Sequence, residues 1–219
     1  MAERGRFITF EGLDGSGKST QLARAAAWLA EQEVAVETTR EPGGTALGQA
    51  IRSVFLDPRF GEIDGTVELL MVFASRRQHL LETIEPALAR GTTVLCDRFT
   101  DSTLAYQGFG RGVERERIDA VDALATGTRR PELTLLFDLP PEEARRRGHA
   151  PDREGGADRI DVESLAFYTR VREGFLALAR AEPARFRVIN STASAEETAA
   201  AVRSVLAEFL GVSAQESVR

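Results

Sequence analysis

An α/β fold is predicted, a three-layer sandwich in which helices flank a five-stranded parallel sheet, and three observations predict it. Five short β-prone runs, at 6–11, 34–39, 92–96, 133–139 and 186–190, are separated by helix-like sequence in every gap. Strands that alternate with helices pair in parallel and are covered on both faces. A glycine-rich loop, Gly12-Leu13-Asp14-Gly15-Ser16-Gly17-Lys18-Ser19, joins the first run to the first helix. The remaining polar motifs follow strands or lie on neighbouring helices, and in parallel sheets ligands collect at the carboxyl ends of the strands. No Pro/Ser-rich linker or internal repeat divides the 219 residues, so one domain spanning 1–219 is expected.

Phe7, Ile8, Thr9 and Phe10 form a short β-prone run after a charged N-terminus, and the loop that follows is a full match to the phosphate-binding pattern G-x-x-x-x-G-K-[ST]. Leu22, Ala25, Ala26 and Leu29 recur at helical spacing after it, with Trp28 leaning on the same body. The loop therefore turns its backbone N–H groups and a helix dipole toward one anion. Gly12, Gly15 and Gly17 let the backbone curl around phosphate oxygens. Lysine and arginine total 28, and Lys18 is the only lysine. Its compact ammonium on a flexible stem enters a tight loop that a planar guanidinium does not. The Ser19 hydroxyl is placed for the Mg2+ that accompanies ATP, and Thr20 completes the segment.

The second strand ends in Thr39-Arg40-Glu41-Pro42-Gly43-Gly44-Thr45, ahead of a helix that carries Arg52. The third ends in Asp97-Arg98-Phe99, followed by Ser102, Thr103, Tyr106, Gln107 and Gly108. ATP binding needs only the phosphate loop, so additional arginines at strand ends point to a second anionic ligand, a phosphorylated acceptor. Taken singly, Arg98 paired with Asp97, or a plain Pro42-Gly43-Gly44 turn, accounts for each motif. Together these accounts require a coincidence at one sheet edge.

Between Arg145 and Arg159 the character changes: Arg145, Arg146 and Arg147 end a short helix, Gly148, Pro151, Gly155 and Gly156 break it, and Arg153 and Arg159 are interspersed. A charge run is usually a solvated loop. Beside a nucleotide loop, a lid at about 145–160 that lowers arginines onto transferring phosphates is preferred. A C-terminal helix is expected over 195–210, with a frayed tail after Gly211.

The net charge of −6 argues against nucleic-acid binding through a broad basic face. One cysteine, Cys96, excludes an intrachain disulfide framework and is expected as a small buried strand residue. His79 and His149 lack metal-ligand spacing and are expected at the surface. No apolar run approaches the roughly 20 residues of a spanning helix, and no signal-peptide stretch is seen, so a cytoplasmic protein is expected.

The motifs GLDGSGKST, TREPGGT, DRF and STLAYQG, in this order, closely resemble those of the thymidylate kinases, which phosphorylate dTMP to dTDP with ATP and Mg2+ in dTTP biosynthesis. The resemblance runs from about Phe7 to the C-terminal helix. It implies that the loop from Gly12 to Thr20 holds ATP, with Lys18 on the phosphates and Ser19 on the metal. It implies further that Asp14 lies beside the acceptor's sugar and phosphate, that Arg98 with Arg40 and Arg52 binds the dTMP phosphate, and that Glu41 and Pro42 line the same site. Thr103, Tyr106 and Gln107 would approach base and deoxyribose, with the Tyr106 ring crowding a ribose 2′-hydroxyl.

One subclass of the family carries an arginine in the phosphate loop; another has glycine there and supplies arginine from the lid. Gly15 and the arginine-rich segment match the lid-arginine subclass, and Asp158-Arg159-Ile160-Asp161 matches its lid pattern, so Arg159 and then Arg153 are the candidates for the catalytic arginine. The family stacks a phenylalanine on thymine four residues before an arginine. An ungapped reading back from Pro86 puts Val72 and Arg76 there, while Phe73 and Arg77 keep the same spacing one residue later. Either a helix irregularity restores the stack with Phe73, or Val72 meets the base; Phe99 and Phe109 are further aromatic neighbours. The resemblance also implies a homodimer through 66–89, where Leu69, Leu70, Leu80 and Leu81 are either interface or intrachain core. A nucleoside kinase on the same scaffold would not need the acceptor-phosphate arginines. A guanine-type switch is excluded because an Asn-Lys-x-Asp motif needs a second lysine.

Overall fold

The computed structural model describes residues 4–127, 129–148 and 158–213. In chain order the elements are β1 Phe7–Gly12, α1 Lys18–Glu31, β2 Val36–Arg40, α2 Ala46–Leu56 and α3 Gly65–His79, then α4 Glu85–Ala89, β3 Thr93–Asp97, α5 Thr100–Thr103 and α6 Arg115–Thr126. β4 Leu133–Asp138, α7 Pro141–Gly148, α8 Leu165–Ala181, β5 Phe186–Asn190 and α9 Ala195–Leu210 complete them. The strands form one parallel sheet in the order β2-β3-β1-β4-β5. The expected sheet is present, with each strand within two residues of its sequence-read bounds, and α9 spans 195–210 as anticipated.

Alternation along the central strands builds the layers. In β4, Leu133, Leu135 and Phe137 face one way and pack with Ile8 and Phe10 of β1 against Leu22, Trp28 and Leu29 of α1 and Val202 and Leu206 of α9. On the opposite face Leu136 joins a larger body made by α2, α3, α6 and α8, with Leu69, Phe73, Ile118, Phe167, Val171 and Phe175 at its centre. Phe7, Val94 and Cys96 meet Leu80, Ile84 and Leu88 in a third cluster. Strands buried on both faces read as near-continuous apolar runs, which is why β1, β3 and β4 are so legible. Cys96 is buried in β3, as expected, and burial pushes its thiol well above the usual range.

Register brings Gly12, Arg40, Asp97 and Asp138 to the same carboxyl edge: Arg40 pairs with Asp97, Phe10 also pairs with Asp97, and Gly12 lies opposite Phe137. Side chains cap α2 (Thr45), α3 (Asp64), α8 (Ser164) and α9 (Ser194), the last in a reciprocal box with Glu197. α1 has no side-chain cap; Gly17, left-handed at φ 82°, precedes it and leaves its first N–H groups to other acceptors. A π-helical turn, Leu80–Ile84, joins α3 to α4, and a second, Leu104–Gly110, follows α5. Among the described residues no helix is long and apolar enough to cross a membrane.

Candidate active site

The phosphate loop is shaped by close packing. Gly12 takes φ 143°, and a Cβ there would lie 2.5 Å from the Phe137 carbonyl oxygen, so only glycine fits. Leu13 is anchored in the core, and the Ser16 N–H donates to the Leu13 carbonyl (3.2 Å) to close the turn. Lys18 is buried, its Nζ 3.4 Å from both the Leu13 carbonyl and Asp14 Oδ1. The Ser16 hydroxyl is buried without a partner. Ser19 donates to Asp97 Oδ2 at 2.5 Å, while Asp97 Oδ1 is buried and unpartnered.

Beside the loop lies a cavity of about 610 Å3, open mouth included. Its walls bring together nine of the residues singled out from sequence: Asp14, Glu41, Pro42, Arg52, Arg76, Arg98, Thr103, Tyr106 and Gln107. Arg98 occupies its polar end. Its backbone is left-handed (φ 74°), a conformation that costs about 1–3 kcal/mol outside glycine and persists where surroundings dictate it. Those surroundings are specific: its N–H donates to the Phe10 carbonyl (3.0 Å), Nη1 to the Gly12 carbonyl (3.0 Å) and Ser102 Oγ (2.9 Å), and Nη2 to Asp14 Oδ1 (2.9 Å) and Tyr106 Oη (3.2 Å). Burial works against the Arg98 charge, yet Asp14 and the other acids outweigh it and raise the pKa well above the usual value. Asp14 is the converse: burial pushes its carboxyl up, and Arg98 and Lys18 hold it far below the usual carboxylate range. Arg52, which donates to the Pro42 carbonyl (3.2 Å), has its pKa lowered by burial and then by the charges of Arg40 and Arg98. The guanidinium groups of Arg52 and Arg98 thus share one end of the cavity, with the charge of Arg40 close enough to act on Arg52, a repulsion that an anion relieves. Arg40 itself is exposed, on an adjoining groove with Ser19, Thr39 and Asp97.

The other end is apolar, walled by Phe55, Leu56, Val72, Phe99 and Ile160. Arg76 enters it from α3, only 1% exposed. Its Nε donates to Glu41 Oε2 (2.6 Å) and Nη2 to Thr103 Oγ1 (3.0 Å), while Nη1 is buried with no partner. Phe73 does not line the cavity. Its ring lies beneath the guanidinium, 4.6 Å from Arg76 Cζ, inside the core. Val72 takes the wall position, because the helix irregularity is at 80–84, beyond both Val72 and Arg76, and leaves their relative facing unchanged. Arg77 also falls outside the site: one residue on, it points to α6 and donates to the Ala125 carbonyl (3.3 Å).

Two further expectations are corrected. Arg159 is no free lid arginine. It is 4% exposed, its backbone N–H donates to the Leu56 carbonyl (3.1 Å), Nε to the Phe55 carbonyl (3.0 Å), and Nη1 to Glu68 Oε1 (2.6 Å). Freeing it would break a buried ion pair and leave the Glu68 carboxylate to Arg111 and Gln107 alone. Its neighbours Asp158 and Ile160 form cavity wall instead. Arg153 and His149 lie outside the described residues. His79, expected at the surface, is fully buried between Glu41 and Thr39.

Sequence reasoning missed Glu68 and Glu11. Glu68 sits in the apolar run Val67-Glu68-Leu69-Leu70, a lone charge whose place in that run is the signal for a buried ion; Gln107 donates to it (2.9 Å) together with Arg111 and Arg159. Glu11 is fully buried, accepting from the Phe99 N–H (2.7 Å) and the Ser102 hydroxyl (2.5 Å). Burial, reinforced by Asp101, pushes its carboxyl up to about 8.

A thymidylate kinase family model matches residues 10–202. The chain belongs to the thymidylate kinase family. It is 49% identical over 206 residues to the thymidylate kinase of Pseudomonas syringae pv. tomato, covering 94% of this chain and 97% of that protein. It is 50% identical over 208 residues to that of Geobacter sulfurreducens, covering 92% and 96%. The crystal structure of thymidylate kinase from Ehrlichia chaffeensis superposes with a TM-score of 0.73 at 35% identity, covering 93% of this chain and 99% of that one. The chain carries the family's motifs at one sheet edge, with Val72 at the cavity wall.

The Glu11 environment generates a pH prediction. The unfolded carboxyl loses its proton near pH 4.5 and the folded one near 8, so between those values the folded state holds the extra proton and stability falls as pH rises. Glu11→Gln keeps the shape and removes the titration. Urea unfolding at pH 5.5 and 8.5 is expected to show a smaller loss of stability in the variant than in the parent; equal losses would refute the assignment.

Proposed function

We propose that the chain transfers the γ-phosphoryl group of ATP to the 5′-phosphate of dTMP, releasing dTDP and ADP, as one kinase domain whose lid lies at about 145–160. One observation carries the acceptor reading. A cavity with two arginines, Arg52 and Arg98, at one end and the charge of Arg40 close by holds, at its apolar end, a buried Arg76 whose Nη1 has no protein partner. That is the complement of a phosphate joined by a sugar to a flat base with a carbonyl oxygen, because a buried donor left unpaired costs free energy until a ligand satisfies it.

The acceptor phosphate is the nucleophile and is already ionised, so no general base is required. Arg98, Arg52 and Arg40 hold it, and Arg98 keeps its charge because Asp14 holds it there. Asp14 and Tyr106 face the deoxyribose, with the Tyr106 ring in the position that crowds a 2′-hydroxyl. Arg76 meets a base carbonyl, Thr103 and Gln107 supply further polar groups, and Val72 and Phe99 flank the ring. Gly12, Leu13, Asp14, Gly15, Ser16, Gly17, Lys18, Ser19 and Thr20 form the ATP-phosphate cradle, whose backbone N–H groups and Lys18 face the transferring group. The Ser19 hydroxyl and the orphaned Asp97 Oδ1 fit a Mg2+ and would hold it when it binds with ATP. When bound, that metal supplies charge neutralisation at the phosphate oxygens. With Arg159 committed to Glu68, the transition-state arginine on this reading is Arg153. Catalysis is positioning and charge neutralisation, with no covalent intermediate.

A homodimer completes the reading. Of the five leucines in 66–89, Leu69, Leu80 and Leu88 are core, whereas Leu70 and Leu81 are about half exposed, in one stripe with Val67 and Ala74 at spacings of three, four and seven residues. Leu47 and Val54 of α2 extend the exposed apolar surface. Such a patch on a self-complementary face fits two-fold pairing with a second copy.

Arg76→Ala is expected to raise the KM for dTMP about 100-fold in an ADP-release assay and to leave the KM for ATP within twofold. Parallel losses would count against the acceptor assignment, and activity on AMP or thymidine in place of dTMP would overturn it. Arg153→Ala should lower kcat about 10³-fold with both KM values nearly unchanged. Arg159→Ala should instead lower the thermal midpoint; a pure kcat loss there would restore it as the catalytic arginine. Leu70→Asp with Leu81→Asp is expected to give the monomer mass by light scattering, and an unchanged dimer mass would exclude this face.

A further inference from the structure

We infer that His79, a residue outside the cavity, is a positioning residue for acceptor recognition: it fixes Glu41, and through Glu41 the orientation of Arg76. This rests on the reading of the cavity as the dTMP site.

His79 is fully buried at the end of α3, one turn beyond Arg76. Its Nδ1 lies 3.0 Å from Glu41 Oε1, and the other oxygen of that carboxylate accepts from Arg76 Nε at 2.6 Å. A carboxylate only accepts, so Nδ1 carries the hydrogen toward Glu41, and Nε2 lies 2.6 Å from the Thr39 hydroxyl. Thr39, His79, Glu41, Arg76 and Thr103 therefore form one continuous chain of hydrogen bonds running from the end of β2 to the cavity wall. Without His79, one lone-pair side of the buried Glu41 carboxylate has no donor. Glu41 then turns on its own side-chain torsions and Arg76 loses its fixed aim.

The same ring sets the loop that bears Glu41. Gly44 packs on it so closely that a Cβ would sit 2.3 Å from His79 Cδ2 and Nε2, and φ 76° at Gly44 keeps the chain clear of the ring. The neighbouring Gly43 N–H donates to Ser75 Oγ of α3 (3.1 Å), and Arg52 donates to the Pro42 carbonyl (3.2 Å). A buried polar chain of this kind holds a unique geometry when every member is satisfied, and loses it when one link is cut. The single unsatisfied donor in it is Arg76 Nη1, the atom reserved for the ligand.

The test compares two near-isosteric variants. Asparagine places its amide nitrogen where Nδ1 lies and keeps a donor toward Glu41; glutamine places its amide where Nε2 lies and reaches Thr39 but not Glu41. His79→Gln is expected to raise the KM for dTMP about tenfold, with the KM for ATP within twofold, and His79→Asn to stay within about threefold of the parent for both. Equal effects of the two variants, or parallel rises in both KM values, would overturn the proposal, because a merely structural role moves them together. If neither variant folds, as judged by circular dichroism, 15N-histidine NMR of the unaltered protein decides. A His79 signal in the Nδ1–H tautomer that shifts with dTMP and not with ADP supports the chain, and the opposite tautomer or no shift overturns it. Failure of the cavity reading looks different: the unaltered protein would then show no dTMP-dependent turnover.

Discussion

The carboxyl edge of the sheet is organised around one constraint: a positively charged Arg98 is kept inside the protein, in a left-handed backbone conformation, facing a cavity. Burial alone would strip it of charge or expel it. The surrounding acids prevent this with different means. Asp14 pairs with it directly and is held ionised by it and by Lys18. Glu11 acts at one remove, gripping Ser102 and the Phe99 N–H so that Ser102 Oγ is in place to accept from Nη1. The phosphate loop, the β3 end and the α5 segment are thus tied together through a single guanidinium. Gly12 participates twice, through its carbonyl as an Arg98 acceptor and through its missing Cβ.

α3 plays the corresponding part at the apolar end. Two buried carboxylates meet it, Glu41 from the loop after β2 and Glu68 from α3 itself, and each gathers cationic or polar partners. Replacing such buried ion clusters with apolar residues of similar volume is often neutral or stabilising, so stability is a weak reason for them. Geometry is the stronger one. Glu41 orients Arg76, and Glu68 joins Gln107 at the cavity to Arg159, whose neighbours Asp158 and Ile160 close the wall. The apolar end of the cavity is therefore framed by two buried ion clusters, one of which, Glu41 with Arg76, lies in its wall.

The sheet was legible because its central strands are buried on both sides and so are apolar over their whole length, and the loop because phosphate chemistry demands glycines and Lys18 at fixed spacing. Most of the cavity residues were legible for a related reason: the polar motifs follow strand ends, as Glu41 and Arg98 do, or lie on the helices beside them, as Arg52 and Arg76 do. What escaped was facing. A pattern such as Asp158-Arg159-Ile160-Asp161 states which residue types occur but not whether the guanidinium points to solvent, to phosphate or, as here, to Glu68. Val72 and Phe73 differ by a 100° turn of helix, and the aromatic ring, the more conspicuous of the two, is the one beneath Arg76. His79 was misread because an isolated histidine carries no spacing signal, whereas its partners Thr39 and Glu41 are brought to it only by the packing of the β2 loop on α3.

The position of Val72 has a consequence for how the base is discriminated. An aromatic ring beneath a pyrimidine holds it by stacking, which every base shares; a branched aliphatic wall offers shape without that attraction. The methyl group that separates thymine from uracil is worth only about 1–3 kcal/mol in an apolar pocket. Hydrogen-bond placement discriminates more strongly, because a donor left unpaired against the wrong base forfeits its desolvation cost. On the proposed reading, with Val72 at the wall, selection among bases rests on the direction in which Arg76 presents Nη1. That direction is set by Glu41, Thr103 and the Phe73 and Phe99 rings on which the guanidinium lies, and Phe73 acts on it from outside the cavity.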